Sequence, residues 1–483
     1  MSAEDAIETI IGRFGKYQIW IFFLITFGRF PTEYQLTNVV FIMPSVEYVC
    51  MDENAYNLTN HCPCANPQYD QSTIVSSVTS TWNLICEREQ LASLTQSMLQ
   101  VGILFGSMFY GQLSDRYGRK VACLLALTSE IVFVALSSAS SELWMFIVAR
   151  FFIGTAVGGT ILCCYIIIIE LSGKSFRPYL AGLIEISYAL GYFTLPMFAY
   201  YLRDWRHLQL ATSVPWAFVT IYYYLIPESP RWLITMGQKE RAVQILTHIA
   251  KKNKRPTNNI TTLVDRAVME SQTSSDKQHA NYTDLFKTPK IRAYTLIIAC
   301  VWMCCSHTFF GINQYIGRLQ GNIYLNVIIS SVSLMPGLVL VVLASLYLRR
   351  KTAVITSFVV AGVSLLVFIF IPADMRILEL TFALIGQLGA HTAFVQAYLY
   401  SSEIFPTVVR NSAMGFASVF ARVGGFIAPF VVNIGIQWVS IVIFTVLAFF
   451  AAFLCYFLPE TKDIVLLNTI DQTEKSKELK TIS

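Results

Sequence analysis

Charge is what this sequence has little of. Only 13% of its 483 residues are Asp, Glu, Lys or Arg, where a soluble chain carries roughly 25%. Hydrophobic residues make up 55%, and mean hydropathy is +0.54. That balance excludes a water-soluble enzyme, a disulfide-built secreted module and a nucleic-acid binder. It points to a polytopic membrane protein in a lipid bilayer. Other absences narrow the reading. Met1–Lys16 carries Glu4, Asp5 and Glu8 and lacks the basic n-region and small-residue cleavage site of a signal peptide. The first apolar run is therefore expected to stay in the protein. Gly173–Lys174–Ser175 ends like a phosphate-binding loop, but Ile168 stands where its first glycine belongs. That excludes direct use of ATP. His61–Cys62–Pro63–Cys64 has no Cys-x-x-Cys pair of the zinc type, and no catalytic dyad stands out. No metal, no cofactor and no enzymatic activity are expected.

What the sequence does have is apolar runs. They fall near 17–41, 92–111, 121–139, 143–169, 180–202 and 208–226, then near 291–312, 322–348, 353–371, 377–400, 412–435 and 437–458. Each is long enough for a helix to cross about 30 Å of hydrocarbon. The expectation is an all-α membrane protein of twelve transmembrane helices. Its domains would be an N-terminus 1–16, a six-helix bundle 17–226 with an outer loop 42–91, a charged linker 227–290, a second six-helix bundle 291–459 and a tail 460–483. The linker reads as amphipathic helices with a solvated charged face, and the tail as disordered. Basic residues set the orientation. Arg116, Arg119 and Lys120 follow span two, Lys174 and Arg177 follow span four, and the linker holds Arg231, Lys239, Arg241 and Lys251. Arg349, Arg350 and Lys351 follow span eight, and Arg410 follows span ten. Both termini are thus expected in the cytoplasm and the first loop outside.

Four cysteines, Cys50, Cys62, Cys64 and Cys86, lie in that loop. In an oxidising compartment they are expected to pair, with three connectivities open. Asn57–Leu58–Thr59 is a glycosylation acceptor on the outer side. Asn259 and Asn281 also sit in acceptor triplets, but in the linker, where they should stay bare. The other seven cysteines read as small core residues.

The halves repeat. Glu403 and Arg410 lie 233 residues after Glu170 and Arg177, Pro459–Glu460 lies 232 after Pro227–Glu228, and Arg349 lies 233 after Arg116. Two six-span halves in the same orientation predict a parallel repeat around a central cavity, with rocking of the halves alternating access to it. Gly111–Gln–Leu–Ser–Asp115–Arg116–Tyr–Gly118–Arg119–Lys120, at the turn between spans two and three, resembles the signature of the major facilitator superfamily. The resemblance narrows with Trp82–Asn–Leu–Ile–Cys86, Asp204–Trp–Arg–His–Leu–Gln209, Pro227–Glu228–Ser–Pro–Arg231–Trp–Leu233 and Tyr400–Ser–Ser–Glu403–Ile–Phe–Pro–Thr–Val–Val–Arg410–Asn411. Together they resemble the organic cation, anion and carnitine transporters of solute carrier family twenty-two, over residues 14–462. The outer loop departs from the family, where six cysteines are common. The resemblance implies transport of small organic ions across the plasma membrane by a chain working as a monomer, with a coupling or counter-ion left open. It also implies a gating charge network of Asp115, Arg116, Arg119, Lys120, Glu170, Arg177, Glu228, Arg231, Glu403, Arg410 and Glu460.

Ionisable residues inside spans are site candidates because burying them is costly. Arg422 lies about ten residues into span eleven. Family members that resemble anion and carnitine carriers have an arginine at this motif position, and cation-preferring ones tend to have an aspartate. A guanidinium suits a carboxylate; pairing to a structural acid or to backbone carbonyls is the alternative. Glu185 sits three residues before Tyr188 on one face of span five. Tyr188 matches a pocket tyrosine of anion-type members, whereas Glu185 replaces their usual small residue. Glu185 could hold an amine while Arg422 holds an acid, which favours a zwitterion, or it could pair with another span. Trp302, Phe309, Phe310, Phe394 and Tyr398 occupy positions resembling the family's aromatic cage; core packing is their other reading. Leu334 and Leu338 stand where relatives place a charge. Arg29 and Glu33 are spaced for an internal ion pair, Glu130 has no evident partner, and His307 and His391 read as helix-packing residues.

Overall fold

A computed structural model describes residues 3–52, 58–274, 282–372, 374–406, 408–462 and 470. Asn57, Asn281 and nearly all of the tail beyond Lys462 lie outside the described residues. Among the described residues, eight helices are long and apolar enough to cross a bilayer. They are Arg119–Ser138, Leu143–Glu170, Pro289–Ile316, Ile323–Tyr347, Arg350–Ile369, Arg376–Ile404, Arg410–Val432 and the helix ending at Tyr456, at the places of spans three, four and seven to twelve. Span two is the helix Glu89–Tyr117, whose apolar run is diluted by buried Ser93, Thr95, Gln96, Ser97 and Gln100. Span five is Arg177–Tyr201, with Pro196 inside it.

Spans one and six are broken. Span one is Lys16–Gly28, Phe30–Thr37 and Val39–Ile42, interrupted at Arg29 beside Pro31 and at Asn38. Span six begins as Trp205–Ala211, tightens into a 3-10 segment Val214–Ile221 with Pro215 in its first turn, and ends as Tyr222–Leu225. A proline within a helix removes one backbone donor and disturbs the turn before it.

The described chain forms two units. The first comprises Met1–Asn38, Val101–Phe198 and Trp205–Gln278. In it, spans two and four approach closely. A Cβ on Gly102 would meet Phe151 O at 2.2 Å, one on Gly106 Thr155 O at 2.0 Å, and one on Gly158 Ile103 O at 2.4 Å. Small residues permit this backbone contact where the bilayer provides no hydrophobic drive. The unit also holds the linker helices Pro230–Thr235, Lys239–Lys252 and Ile260–Ser274. The N-terminal stretch is more structured than a polar leader. It forms the helix Ala3–Ile11, whose Ile7, Ile10 and Ile11 share a core with Leu246, Ile249 and Val264 of the linker. Asn253 fastens this group: its amide donates to Ile11 O at 3.0 Å and Gln18 Oε1 at 2.7 Å, and its Oδ1 accepts from Tyr17 N at 3.0 Å.

The second unit comprises Val39–Gln100, Ala199–Asp204 and His279–Ser483. The outer loop therefore groups with the second half of the chain. It also departs from an all-helical expectation. Strand β1 (Tyr48–Cys50) pairs antiparallel with β2 (Leu58–Thr59) and β3 (Pro67–Tyr69). Disulfides join Cys50 to Cys64 and Cys62 to Cys86. Cys50, Asp52 and Cys64 lie together, but the disulfide leaves no thiolate there for a metal. Beside β3, the backbone N–H and hydroxyl of Ser72 both donate to Asp70 and hold its carboxyl below the usual carboxylate range.

Candidate functional site

In the second unit the aromatic residues predicted as a cage do meet. Trp302 on span seven lies 5.6 Å from Tyr398 and 6.4 Å from Phe394 on span ten, ring centre to ring centre. Phe394 stacks on Phe309 at 6.1 Å, and Phe310 and His391 each stand within 5.5 Å of Phe309. The indole N–H of Trp302 donates to Ser401 Oγ at 2.9 Å, which fixes the ring. Tyr398 is 48% exposed while Trp302 and Phe309 are buried, so the cluster has a packed base and an open edge.

Span eleven presses against span seven. A Cβ on Gly424 would meet Met303 O at 2.2 Å, and His307 Nδ1 bonds Gly424 O at 3.1 Å. Arg422 sits two residues before this contact and is half-buried. Among the described residues its guanidinium has no hydrogen bond and no ion pair, so neither structural partner considered for it is present there. Some buried amides elsewhere in this unit pair with one another. Gln314 Nε2 donates to Gln96 Oε1 at 2.5 Å, Ser330 donates to Gln387 Oε1 at 2.8 Å, and Gln387 Nε2 donates to Asn313 Oδ1. The sequence reading passed over these amides because no charge marks them.

In the first unit, Glu185 and Tyr188 lie half-buried on span five, with Tyr188 6.1 Å from the Tyr192 ring. Arg29 and Glu33 form an ion pair at 2.9 Å and both are buried. Ser187 donates to Glu33 Oε1 at 3.1 Å. Glu185 feels both Arg29 and Glu33 electrostatically, yet accepts no hydrogen bond among the described residues. Glu130 does have partners, which sequence alone did not reveal. Its Oε2 accepts from Thr32 Oγ1 at 2.7 Å and Thr160 Oγ1 at 3.1 Å.

The charge networks at the span ends repeat in both units. Arg119 Nε bonds Glu170 at 3.2 Å, and its Nη1 bonds Asp115 and, at 3.2 Å, Ser114 Oγ. Glu228 Oε1 accepts from the backbone N–H of Arg119 and Lys120 at 2.8 and 3.1 Å. In the other half, Arg350 Nε bonds Glu403 at 3.2 Å, Arg350 Nη1 bonds Ser345 O at 2.9 Å, and Glu460 accepts from the N–H of Arg350 and Lys351 at 2.8 and 3.2 Å. Lys120 lies 4.6 Å from the Tyr223 ring and Lys351 4.7 Å from the Tyr456 ring.

The contacts therefore match Arg119 with Arg350, and they correct the pairing of Arg116 with Arg349. Arg119 and Glu170 are 51 residues apart, whereas Arg350 and Glu403 are 53 apart. A single offset cannot align both ends. Arg116 is exposed and lies over its neighbour Tyr117 instead. Arg410 donates to Phe405 O at 3.3 Å. Arg177 begins span five, and Arg231 lies in the helix Pro230–Thr235.

A family model described as "Sugar (and other) transporter" matches residues 51–471. The chain belongs to this family. An organic cation transporter protein of Drosophila melanogaster is 30% identical over 97% of this chain and 94% of its own length. Human organic cation/carnitine transporter 2 is 30% identical over 99% of this chain and 95% of its own. Mouse solute carrier family 22 member 3 is 33% identical over 83% of this chain and 72% of its own. Among solved structures, the inward open xylose transporter XylE of E. coli superposes with a TM-score of 0.69 at 18% identity, covering 93% of this chain and 98% of its own. The chain thus has the major facilitator fold. It is a multi-pass membrane transporter rather than an enzyme.

Proposed function

We propose that this transporter moves small organic ions by alternating access, and that its substrates carry a carboxylate, as zwitterions or as organic anions. One observation carries the reading: Arg422, in the middle of a bilayer-spanning helix, has no hydrogen bond or ion pair among the described residues. A guanidinium held in a span without a partner is costly. A substrate carboxylate answers that cost with a planar, bidentate match. Trp302, Phe309, Phe310, Phe394 and Tyr398 give a flat or cationic body an aromatic wall. In the first unit, the half-buried carboxylate of Glu185 suits an ammonium, and Tyr188 stands on the same span.

The relatives' names, organic cation and organic cation/carnitine transporters, support organic ions as the cargo. Organic cations are the second reading, favoured by the carboxylate of Glu185, which accepts no hydrogen bond among the described residues. The networks around Arg119 and Arg350 act as gates in this account, tying helix ends together in one state and releasing them in another. Residence in the plasma membrane, cytoplasmic termini, glycosylation at Asn57 and action as a monomer belong to the same proposal.

The test is uptake of labelled benzoate, carnitine and tetraethylammonium by cells expressing the chain. Saturable uptake of benzoate or carnitine supports the carboxylate reading. Saturable uptake of tetraethylammonium alone gives preference to the cation reading. Binding of the probes without flux makes the chain a receptor.

A further inference from the structure

The interior of the first unit holds more negative groups than it can neutralise. Glu33, Glu130 and Glu185 share it with Arg29, and Arg29 is already bonded to Glu33 at 2.9 Å. The unit's other buried guanidinium, Arg150, donates to Gln35 at 3.5 Å and to no carboxylate among the described residues. Glu130 is the most enclosed of the three, 1% exposed near the midpoint of Arg119–Ser138. Both hydroxyls that reach it, Thr32 and Thr160, donate to the same oxygen, Oε2. Its Oε1 is buried and has no hydrogen-bond partner among the described residues. A buried carboxylate without a cation or a full set of donors is unfavourable enough that the group takes up a proton instead.

We propose that Glu130 is a proton-carrying site, protonated on Oε1 while closed inside the first unit and deprotonated when the transport cycle opens it to water. The step is a plain acid–base exchange. The O–H bond at Oε1 breaks, the proton passes to water, and a carboxylate remains, stabilised by the Thr32 and Thr160 hydroxyls. The return is the reverse, and nothing is oxidised or reduced. The titratable and charged groups around Glu130 are known. From span one they are Arg29 and Glu33. Span two contributes Tyr110, whose hydroxyl is bonded to Ser129 at 2.7 Å. On span four Cys164 lies 3.4 Å from Cys123 of Glu130's own helix. Glu185 of span five acts through Arg29 and Glu33. Tyr222 of span six donates a hydrogen bond from its hydroxyl to Leu24 O at 2.8 Å. Arg29 is the cation among them; it acts on Glu130 at a distance, but its ion pair is with Glu33, and Glu130 has no ion pair among the described residues.

The inference rests on the carrier reading, and the experiment separates the two. The chain is reconstituted in proteoliposomes containing a pH-sensitive dye. Tracer exchange of benzoate, carnitine and tetraethylammonium is measured first, with the same pH on both sides. Net uptake of the exchanged probe and the dye signal are then followed under proton gradients of each polarity. The expected result is uptake that rises with one polarity and falls with the other, with a dye change that requires the probe. Glu130→Gln is expected to exchange tracer with a flat pH profile and no dye change. Thr160→Val, which removes one donor to the carboxylate, is expected to move the midpoint of the wild-type pH profile to higher pH. That second variant carries the test if Glu130→Gln fails to fold. Wild-type exchange that ignores the proton gradient overturns the proposal and leaves the carrier reading standing. So does a Glu130→Gln chain with the wild-type profile, or a sodium gradient that replaces the proton gradient. Absence of any exchange overturns both.

Discussion

At the scale of single residues, an ionisable side chain matters here according to its partners. Arg29 and Glu33 are buried and paired with each other, so a structural role fits them. Glu185 lacks hydrogen bonds among the described residues and should act on cargo. In Glu185→Gln, the apparent KM for carnitine should rise roughly 10- to 100-fold, the size of one lost charge-assisted contact, while any benzoate uptake holds. Concentration-dependent uptake of both probes checks this. Gly118 belongs to a different class. Its φ of +110° is a conformation that side chains rarely adopt, and a Cβ there would meet Glu228 Oε2 at 2.4 Å. Gly118→Ala should therefore abolish transport while the protein still reaches the membrane, as surface labelling beside uptake would show. How far residues were legible from sequence followed the range of their contacts. Arg29 and Glu33 lie one helical turn apart and were readable, whereas Glu130 takes its donors from 98 and 30 residues away. No periodicity carries that information.

At the scale of elements, long apolar runs translated directly into helices, because backbone groups in hydrocarbon must be satisfied within the segment. Three features did not translate. Span one breaks at Arg29 and Asn38, where the apolar run gives no warning beyond Pro31. Strands β1 to β3 are two or three residues long, too short for an alternating pattern, and the disulfides and side chains around them define the loop. The N-terminal helix was hidden because three isoleucines among acidic residues look like a mixed-charge, polar terminus until the linker supplies their partners. The halves of the repeat are also out of step by two residues between Arg119–Glu170 and Arg350–Glu403, so motif spacing chose the wrong arginine. This leads to a comparison of four variants. Arg119→Ala and Arg350→Ala should each reduce the maximal uptake rate strongly, while Arg116→Ala and Arg349→Ala should stay within about twofold, as exposed charges contribute little. Initial rates at saturating probe, normalised to surface protein, decide it.

At the scale of the whole molecule, the fold and its class were legible from composition, run length and the duplicated motifs, because the bilayer permits few architectures. Substrate class was not, since it depends on a few side chains set into a shared scaffold. The central claim is that Arg422 meets the cargo's carboxylate. Its most direct test is uptake of benzoate, carnitine and tetraethylammonium by the wild-type chain beside Arg422→Ala and Arg422→Lys. The account predicts carboxylate uptake that falls roughly 10- to 100-fold in Arg422→Ala, the worth of one charge-assisted pair. It predicts partial recovery in Arg422→Lys, which keeps the charge but loses the bidentate fork. Carboxylate uptake that is unchanged in Arg422→Ala, or a chain that moves tetraethylammonium alone and keeps doing so in that variant, would contradict it.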